Sequence, residues 1–309
     1  VSELEFYLNR EAERLGSDRD LRRAYARGDV VRIAPGMYVP TDRWASLTDD
    51  QRHRLQCHAV LTRHQGLQLS HDSAAALWRL PSFGPWPGRV HVTVEQNIAR
   101  RSTTALIRHE GGIDQAGSVI DGLAVTSLAR TVVDVARTTS FIRAVGVADA
   151  ALRGARASGF QRDAIDRTVL EREVEIIAGR PGSARAARVV EFADARADRL
   201  GESICRAQFH ALGLPRPHLQ RRFTDRQGRI IPDFYFEEWD LALEFDGVGK
   251  YLRGREFHPE LTEAQIVVKE KRRENRLRRL VRDVARVEWA EAIDRRKLVT
   301  VLREHNVPV

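Results

Sequence analysis

The chain has little of what builds covalently stapled or zinc-stapled scaffolds. Of 309 residues only two are cysteine, Cys57 and Cys205, and they stand far apart. That excludes a disulfide framework and a Cys-based zinc motif, and it fits a reducing compartment. The ten histidines are scattered: none forms HExxH, and His53 and His58, five apart, are poorly placed to share a helix face. No run of eighteen apolar residues occurs, which argues against a membrane-spanning helix. No secretory leader is visible either, so a cytoplasmic protein with no membrane partner is expected. The small-residue stretch RPGSARAARVV lacks the GKS or GKT ending of a P-loop, so nucleotide binding is not expected.

What is abundant is positive charge. There are 51 Lys plus Arg against 43 Asp plus Glu, a net charge of +8, and Arg outnumbers Lys. Charge balance speaks to partners rather than to fold. A guanidinium suits bidentate phosphate contacts, and double-stranded DNA is the partner such a chain is expected to take. With 42% hydrophobic residues the chain can bury substantial cores, and its length predicts two or three domains.

Taken in order, residues 1–45 read as a winged helix-turn-helix. Leu4, Tyr7, Leu8 and Leu15 fall on one face of a first helix that Gly16 stops. Ser17 caps a second helix with Leu21, Ala24 and Tyr25 on its apolar side. Arg22, Arg23 and Arg27 lie on or beside the polar side. VVRIAPGMYVP then alternates, turns at Pro35-Gly36 and returns as a β-wing. Such an arrangement sets the second helix in the DNA major groove, with Arg32 and the wing near the backbone.

Residues 46–155 read as a small α/β domain. RVHVTV alternates Val90, Val92 and Val94 inward against His91 and Thr93, TTALIRHE forms another strand, and Ser70 to Ser73 can cap a helix with Ala74, Leu77 and Trp78. In LAVTSLARTVVDVAR, Thr126 can cap a helix on which Arg130 and Asp134 form an ion pair four residues apart. Residues 156–195, rich in Ala, Arg and acids, read as a helical connector. The whole is expected to be an α+β or α/β multidomain chain.

The strongest chemical signal lies in Ile230 to Tyr251, IIPDFYFEEWDLALEFDGVGKY. Two strands joined by a polar turn are expected there. Alternation puts Leu241, Leu243 and Phe245 on one side and Ala242, Glu244 and Asp246 on the other. A turn about Glu238–Trp239 sets Asp233 opposite Glu244, where the two carboxylates repel unless a cation lies between them. Mg²⁺ or Mn²⁺ takes such oxygens and can activate water. A basic helix follows from Val267 to Leu280. Its Lys269, Lys271, Arg272, Arg273 and Arg276 are candidates for DNA phosphates.

Two family resemblances rest on these stretches. LRRAYARGDVVRIAPGMYV and LSHDSAAALWRLP resemble the N-terminal region of AbiEi-type antitoxins and related regulators of toxin–antitoxin systems. This resemblance implies DNA binding through Arg22, Arg23, Arg27 and Arg32, and a cognate toxin as a further partner. Pro232-Asp233 followed by Glu244-x-Asp246-Gly247 resembles the PD-(D/E)XK nuclease superfamily, in the branch of very-short-patch-repair endonucleases. Gly201-Glu202-Ser203, LGLPRPHLQ, KEKRRENRLRRL and DVARVEW accompany it. It implies a restriction-endonuclease-like mixed sheet flanked by helices over residues 196–309, with metal held by Glu202, Asp233 and Glu244. Asp246 stands where that superfamily carries lysine, and Lys250 or Lys271 can supply the cation instead. The implied activity is metal-dependent DNA cleavage. The alternative is a non-catalytic, antitoxin-like transcriptional regulator with a degenerate nuclease domain.

Overall fold

The structure is a computed structural model that describes residues 18–34, 37–62, 64, 66–95, 102–157, 160–247 and 262–309. The chain divides into two compact units, one running to Ala193 and the other starting at Asp194. The sequence reading draws a domain boundary at 195/196 and treats 156–195 as a separate connector. Both units mix helices with small sheets, so the class is α+β. Among the described residues no helix is long and apolar enough to cross a membrane.

In the first unit, α1 (Asp18–Arg27) leads into β1 (Val30–Ala34) and β2 (Met37–Pro40), an antiparallel pair with Val31 opposite Val39. The first helix expected upstream, its Gly16 and Ser17 signals and the Pro35-Gly36 turn lie outside the described residues. The helices α2 (Thr41–Ser46) and α3 (Asp49–Leu61) follow. Thr48 and Gln51 close a reciprocal capping box at the start of α3. Ala34 and Val39 of the hairpin pack with Leu55 and Ala59 of α3, so the hairpin is anchored by its apolar face.

The remainder of this unit is built on a five-stranded sheet. Its strands are β3 (Gln68–Leu69), β4 (Val90–Thr93), β5 (Leu106–His109), β6 (Ser118–Ile120) and β7 (Leu123–Val125), in the order β5-β4-β3-β7-β6. Between β3 and β4 runs α4 (His71–Leu77), and after β7 come α5 (Leu128–Thr138) and α6 (Phe141–Arg153). The hairpin β8 (Ala155–Ala157) and β9 (Phe160–Arg162) precedes α7 (Arg167–Ile176) and α8 (Ser183–Phe192). Leu170, Ile177, Ala186 and Val189 are wholly buried, so this stretch clusters with the first unit and shares its interior. The α5 cap is Ser127, whose hydroxyl accepts from the Arg130 N–H, rather than Thr126. Thr126 turns inward to bond Thr131 at 2.8 Å. Ser70 caps α4 by position only, since its side chain meets His71 instead. The expected Arg130–Asp134 pair forms, Nε to Oδ2 at 3.0 Å, and is buried.

In the second unit, α9 (Leu200–Ala211) is followed by β10 (His218–Leu219), the ribbon β11 (Phe223–Asp225) and β12 (Gly228–Ile230), then β13 (Phe234–Phe236) and β14 (Leu241–Asp246). After the next helix, α10 (Glu263–Leu277), come β15 (Asp283–Glu288), α11 (Trp289–Ala292) and α12 (Arg295–Glu304). The main sheet has the order β10-β13-β14-β15, with β13 antiparallel and β15 parallel to β14. The stretch read as one first strand is two. Ile230 ends the separate β11–β12 ribbon, and β13 starts only at Phe234. Pro232 lies between them and has no N–H to give to a ladder. The chain reverses through a 3₁₀ turn at Glu237–Trp239 and Asp240, which is left-handed at φ 47. Its carboxylate accepts from the Tyr235 hydroxyl and the Arg282 N–H, which fixes the turn.

Both faces of β14 are covered, the face that carries Glu244 as well as the apolar row. Leu241 through Phe245 are all buried. On one side Phe209 of α9 packs edge-on to Phe234 and Phe236, at 5.4 and 5.2 Å between centroids. On the other, Leu277 of α10 joins Ala242, Tyr235 and Val284. A strand with helices on both faces is buried throughout, as parallel and mixed sheets commonly are. The basic helix begins at Glu263, capped by Thr262 with Gln265, and ends at Leu277, three residues short of its expected end.

Candidate metal and nucleic-acid site

The β13–β14 register sets the carboxylates. Phe234 pairs with Leu243, so the next position outward places Asp233 level with Glu244. Asp233 Oδ2 accepts from the Phe245 N–H at 2.8 Å, which holds its side chain across the strand end. Glu202 comes from the first turn of α9, and Gly201 lets that turn approach β14. A Cβ at Gly201 would lie 2.0 Å from the Phe245 ring. Glu202 Oε2 accepts from the Asp198 N–H at 2.8 Å.

The electrostatics show that these acids feel one another. Burial, aided by the nearby Asp233 carboxylate, pushes Glu202 up to about 8. Asp233 is raised by burial and by Glu244, against the lowering effect of its bond to the Phe245 N–H. The three do not, however, bring one oxygen each within 4.8 Å of one another as a closed ligand set.

Arginines supply the local positive charge. Arg273 of α10 pairs with Glu244, and its other nitrogen donates to the Ile231 carbonyl at 2.8 Å. Glu244 is 3% exposed, and its second oxygen, Oε2, has no hydrogen-bond partner. Asp246, in the position of the expected lysine, pairs with Arg286 of β15 at 2.7 Å. Arg286 also reaches Glu274 of α10 at 2.9 Å. Strand end and basic helix are thus laced by alternating charges.

The predicted DNA-contacting residues divide into two groups. Arg273 is engaged with Glu244, and Arg276 forms a two-pronged pair with Asp225 at 2.6 and 2.8 Å. Lys269, Lys271 and Arg272 are exposed on α10. Arg22, Arg23 and Arg27 on α1 and Arg32 on β1 are likewise exposed, with Arg27 bonded to Asp29 at 2.7 Å. Lys250 lies outside the described residues.

A second cluster, in the first unit, was not anticipated. His71, His91 and His109 each offer a ring nitrogen within 4.8 Å of the other two. Burial holds all three imidazoles below their ordinary range, His109 at about 4. Their spacing along the chain gives no motif. The available signal was alternation: His91 and His109 fall on strand positions of β4 and β5 that share a face once the two strands pair in parallel.

No family model matches the chain. It is 31% identical over 156 residues to the uncharacterized protein Rv2248 of Mycobacterium tuberculosis strain H37Rv and to the uncharacterized protein MT2308 of strain CDC 1551. The match takes in 50% of this chain and 54% of each relative, so the chain spans about half the length of the curated relatives it matches. Among solved structures it is similar to the crystal structure of the RV2827C protein from Mycobacterium tuberculosis, with a TM-score of 0.36 and 18% identity over 67% of this chain and 76% of that one.

Proposed function

We propose that this protein binds duplex DNA and that its second unit is a PD-(D/E)XK-like centre for Mg²⁺- or Mn²⁺-dependent phosphodiester hydrolysis. The observation that carries the reading is that Asp233 lies near enough to both Glu202 and Glu244 for its surroundings, burial first and then mutual charge, to push Glu202 and Asp233 upward, although the three oxygens are not closed into one ligand set. Carboxylate oxygens are the donors a hard divalent cation takes. The Glu244 oxygen without a hydrogen-bond partner fits a further ligand. A bound metal would lower the pKa of water and offset charge developing on a phosphoryl oxygen.

The chain's own residues then have defined tasks. Glu202, Asp233 and Glu244 would hold the ion, and Glu244, now paired with Arg273, would offer it an oxygen. Arg273, beside Glu244 on α10, and the exposed Lys271 would be the cations available to stabilise charge on a phosphoryl group. Asp246, kept by Arg286, orients the strand end. Lys269, Arg272 and Arg276 along α10 contact the backbone. Arg22, Arg23, Arg27 and Arg32 form the second contact region of a winged helix, in line with an AbiEi-type N-terminal region and a cognate toxin as partner.

One observation favours a second reading. The pairs Arg273–Glu244 and Arg286–Asp246 already place cations on two of the acids. A regulator that grips DNA without cutting it would be built this way. Plasmid nicking by the full chain with Mg²⁺ or Mn²⁺ decides between them. Nicking that disappears in Asp233→Asn and Glu244→Gln, with DNA affinity retained, supports the enzyme. DNA binding with no nicking in either metal supports the regulator, and the absence of DNA binding contradicts both.

A further inference from the structure

We propose that His71, His91 and His109 of the first unit form a binding site for a borderline transition-metal dication of the Zn²⁺ class, different in chemistry from the carboxylate centre of the second unit. The site starts from strand pairing. In the parallel β4–β5 pair His91 lies opposite Ile107, and Thr93 lies opposite His109. His91 and His109 are therefore diagonal neighbours on one face, close enough for long side chains to meet. His91 Nδ1 and His109 Nε2 are 3.4 Å apart. Two nitrogens, each about 2.0–2.1 Å from a tetrahedral zinc ion, are separated by about 3.4 Å. The two nitrogens are hydrogen-bonded at that spacing, which matches the length of one edge of a coordination tetrahedron.

The third nitrogen comes from the strand-to-helix turn. His71 is the first residue of α4, is 3% exposed, and sits at φ 50, a left-handed conformation rarely taken by residues other than glycine. A conformation of that kind persists where its surroundings over-determine it, and such positions concentrate at functional sites. The His71 ring stacks on His109 with centroids 3.6 Å apart and is edge-on to His91. Stacked rings aim their lone pairs side by side, so closing on one ion turns one of the two rings about its side-chain torsions.

The surroundings suit a ligand histidine. His71 Nδ1 is hydrogen-bonded to the Ser70 hydroxyl at 3.0 Å, while Asp134 Oδ1 lies 3.9 Å from Nε2, a charge neighbour rather than a hydrogen-bond partner. Histidines that bind metals commonly give their other nitrogen to a carboxylate, carbonyl or water. Asp134 is itself held by Arg130 at 3.0 Å and Arg137 at 3.5 Å, which fixes the carboxylate beside the ring. An all-imidazole set selects zinc, cobalt, nickel or copper over magnesium and calcium, and three protein ligands leave a position for solvent or substrate.

The test uses the full chain, freed of metal with a chelator. It is titrated with Zn²⁺ against a chromophoric competitor and, separately, with Co²⁺. One saturable equivalent is expected. Co²⁺ should give visible d–d absorption that equimolar Zn²⁺ abolishes and excess Mg²⁺ does not. His91→Gln and His109→Gln should each weaken binding by about tenfold or more, whereas His218→Gln, an exposed histidine of the other unit, should leave it unchanged. Zn²⁺ binding that survives both His91→Gln and His109→Gln, or falls equally in His218→Gln, overturns the proposal. So does a lack of saturable Co²⁺ absorption in the unsubstituted chain, a readout that stands even where a variant fails to fold.

Discussion

The two units solve the same problem with opposite acids and bases. The first unit gathers three imidazoles beside one strand pair, the second places three acids near one strand end without closing them into a single set, and both have arginine close by. In the first unit the groups are imidazoles held neutral by burial, with the arginines tied to Asp134. In the second they are carboxylates, and an arginine is tied directly to one of them. The difference teaches where each site keeps its instability. A base whose folded pKa is depressed costs stability as pH falls, because the unfolded chain takes up protons that the folded one refuses. An acid whose folded pKa is raised costs stability as pH rises, because the unfolded chain ionises first.

Removing Arg273 sharpens that contrast most. Arg273→Ala leaves Glu244, 3% exposed, without its cation. The expected loss in the second unit is about 2–4 kcal/mol near pH 7, below the full cost of a buried pair because Arg273 is itself a third exposed. Glu244→Gln added to Arg273→Ala should recover much of it. Chemical denaturation of the single and double variants measures the coupling, and additive losses would show that the pair is incidental.

Glu202 gives the next effect. Its folded pKa of about 8 lies above the ordinary 4.5, so its ionisation destabilises the second unit progressively from about pH 4.5 to 8. Without added metal, Glu202→Gln should raise stability by about 2–4 kcal/mol at pH 8 and change it little at pH 4.5. The glutamine keeps an oxygen for the Asp198 N–H. An equal effect at both pH values would mean that Glu202 is not held protonated.

His53 gives the opposite slope in the first unit. It is buried, bonds the Ser73 hydroxyl at 3.1 Å, stacks on Trp86, and burial lowers it to about 4. Its contribution is complete above pH 6.5 and is lost as pH falls towards 4, by about 1–3 kcal/mol. Peptide-resolved hydrogen exchange at pH 6.5 and 4.5, corrected for intrinsic rates, should show the first unit loosening towards acid. A first unit that is more protected at pH 4.5 would break the comparison.

Lys271 should have the smallest effect. It is exposed on α10, so Lys271→Ala should shift stability by no more than about 0.5 kcal/mol. If it contacts phosphate, the log–log salt slope of DNA binding should fall by about 0.9. An unchanged slope would remove it from the interface.

Local pattern made part of this legible. The extent of α1, the reversal near Glu238–Trp239, the level placement of Asp233 and Glu244 and the Arg130–Asp134 pair all follow from periods of two or of three to four residues. What local pattern could not carry was pairing across long stretches of chain. Arg273 reads as one more solvated charge on a basic helix, and only tertiary packing shows that it turns to Glu244, 29 residues earlier. Asp246 looks like a missing lysine until Arg286, 40 residues away, is brought beside it by the parallel β14–β15 ladder. Alternation separates Ala242 and Glu244 from the apolar row but cannot show that this second face is also covered by a helix. The histidine cluster was hidden for the same reason, since a parallel strand pair and a distant turn assemble it.

Peptide-resolved hydrogen exchange of the full chain with and without Mg²⁺ tests the central proposal, that Glu202, Asp233 and Glu244 form a hard-cation site. A ligand that binds the folded state stabilises it by mass action. Millimolar Mg²⁺ should slow exchange in residues 200–211 and 233–246 while leaving residues 68–138 unchanged, and Asp233→Asn should abolish the effect. Exchange in the second unit that does not respond to Mg²⁺, or that slows equally in Asp233→Asn, would contradict the claim and leave Glu202, Asp233 and Glu244 as structural acids.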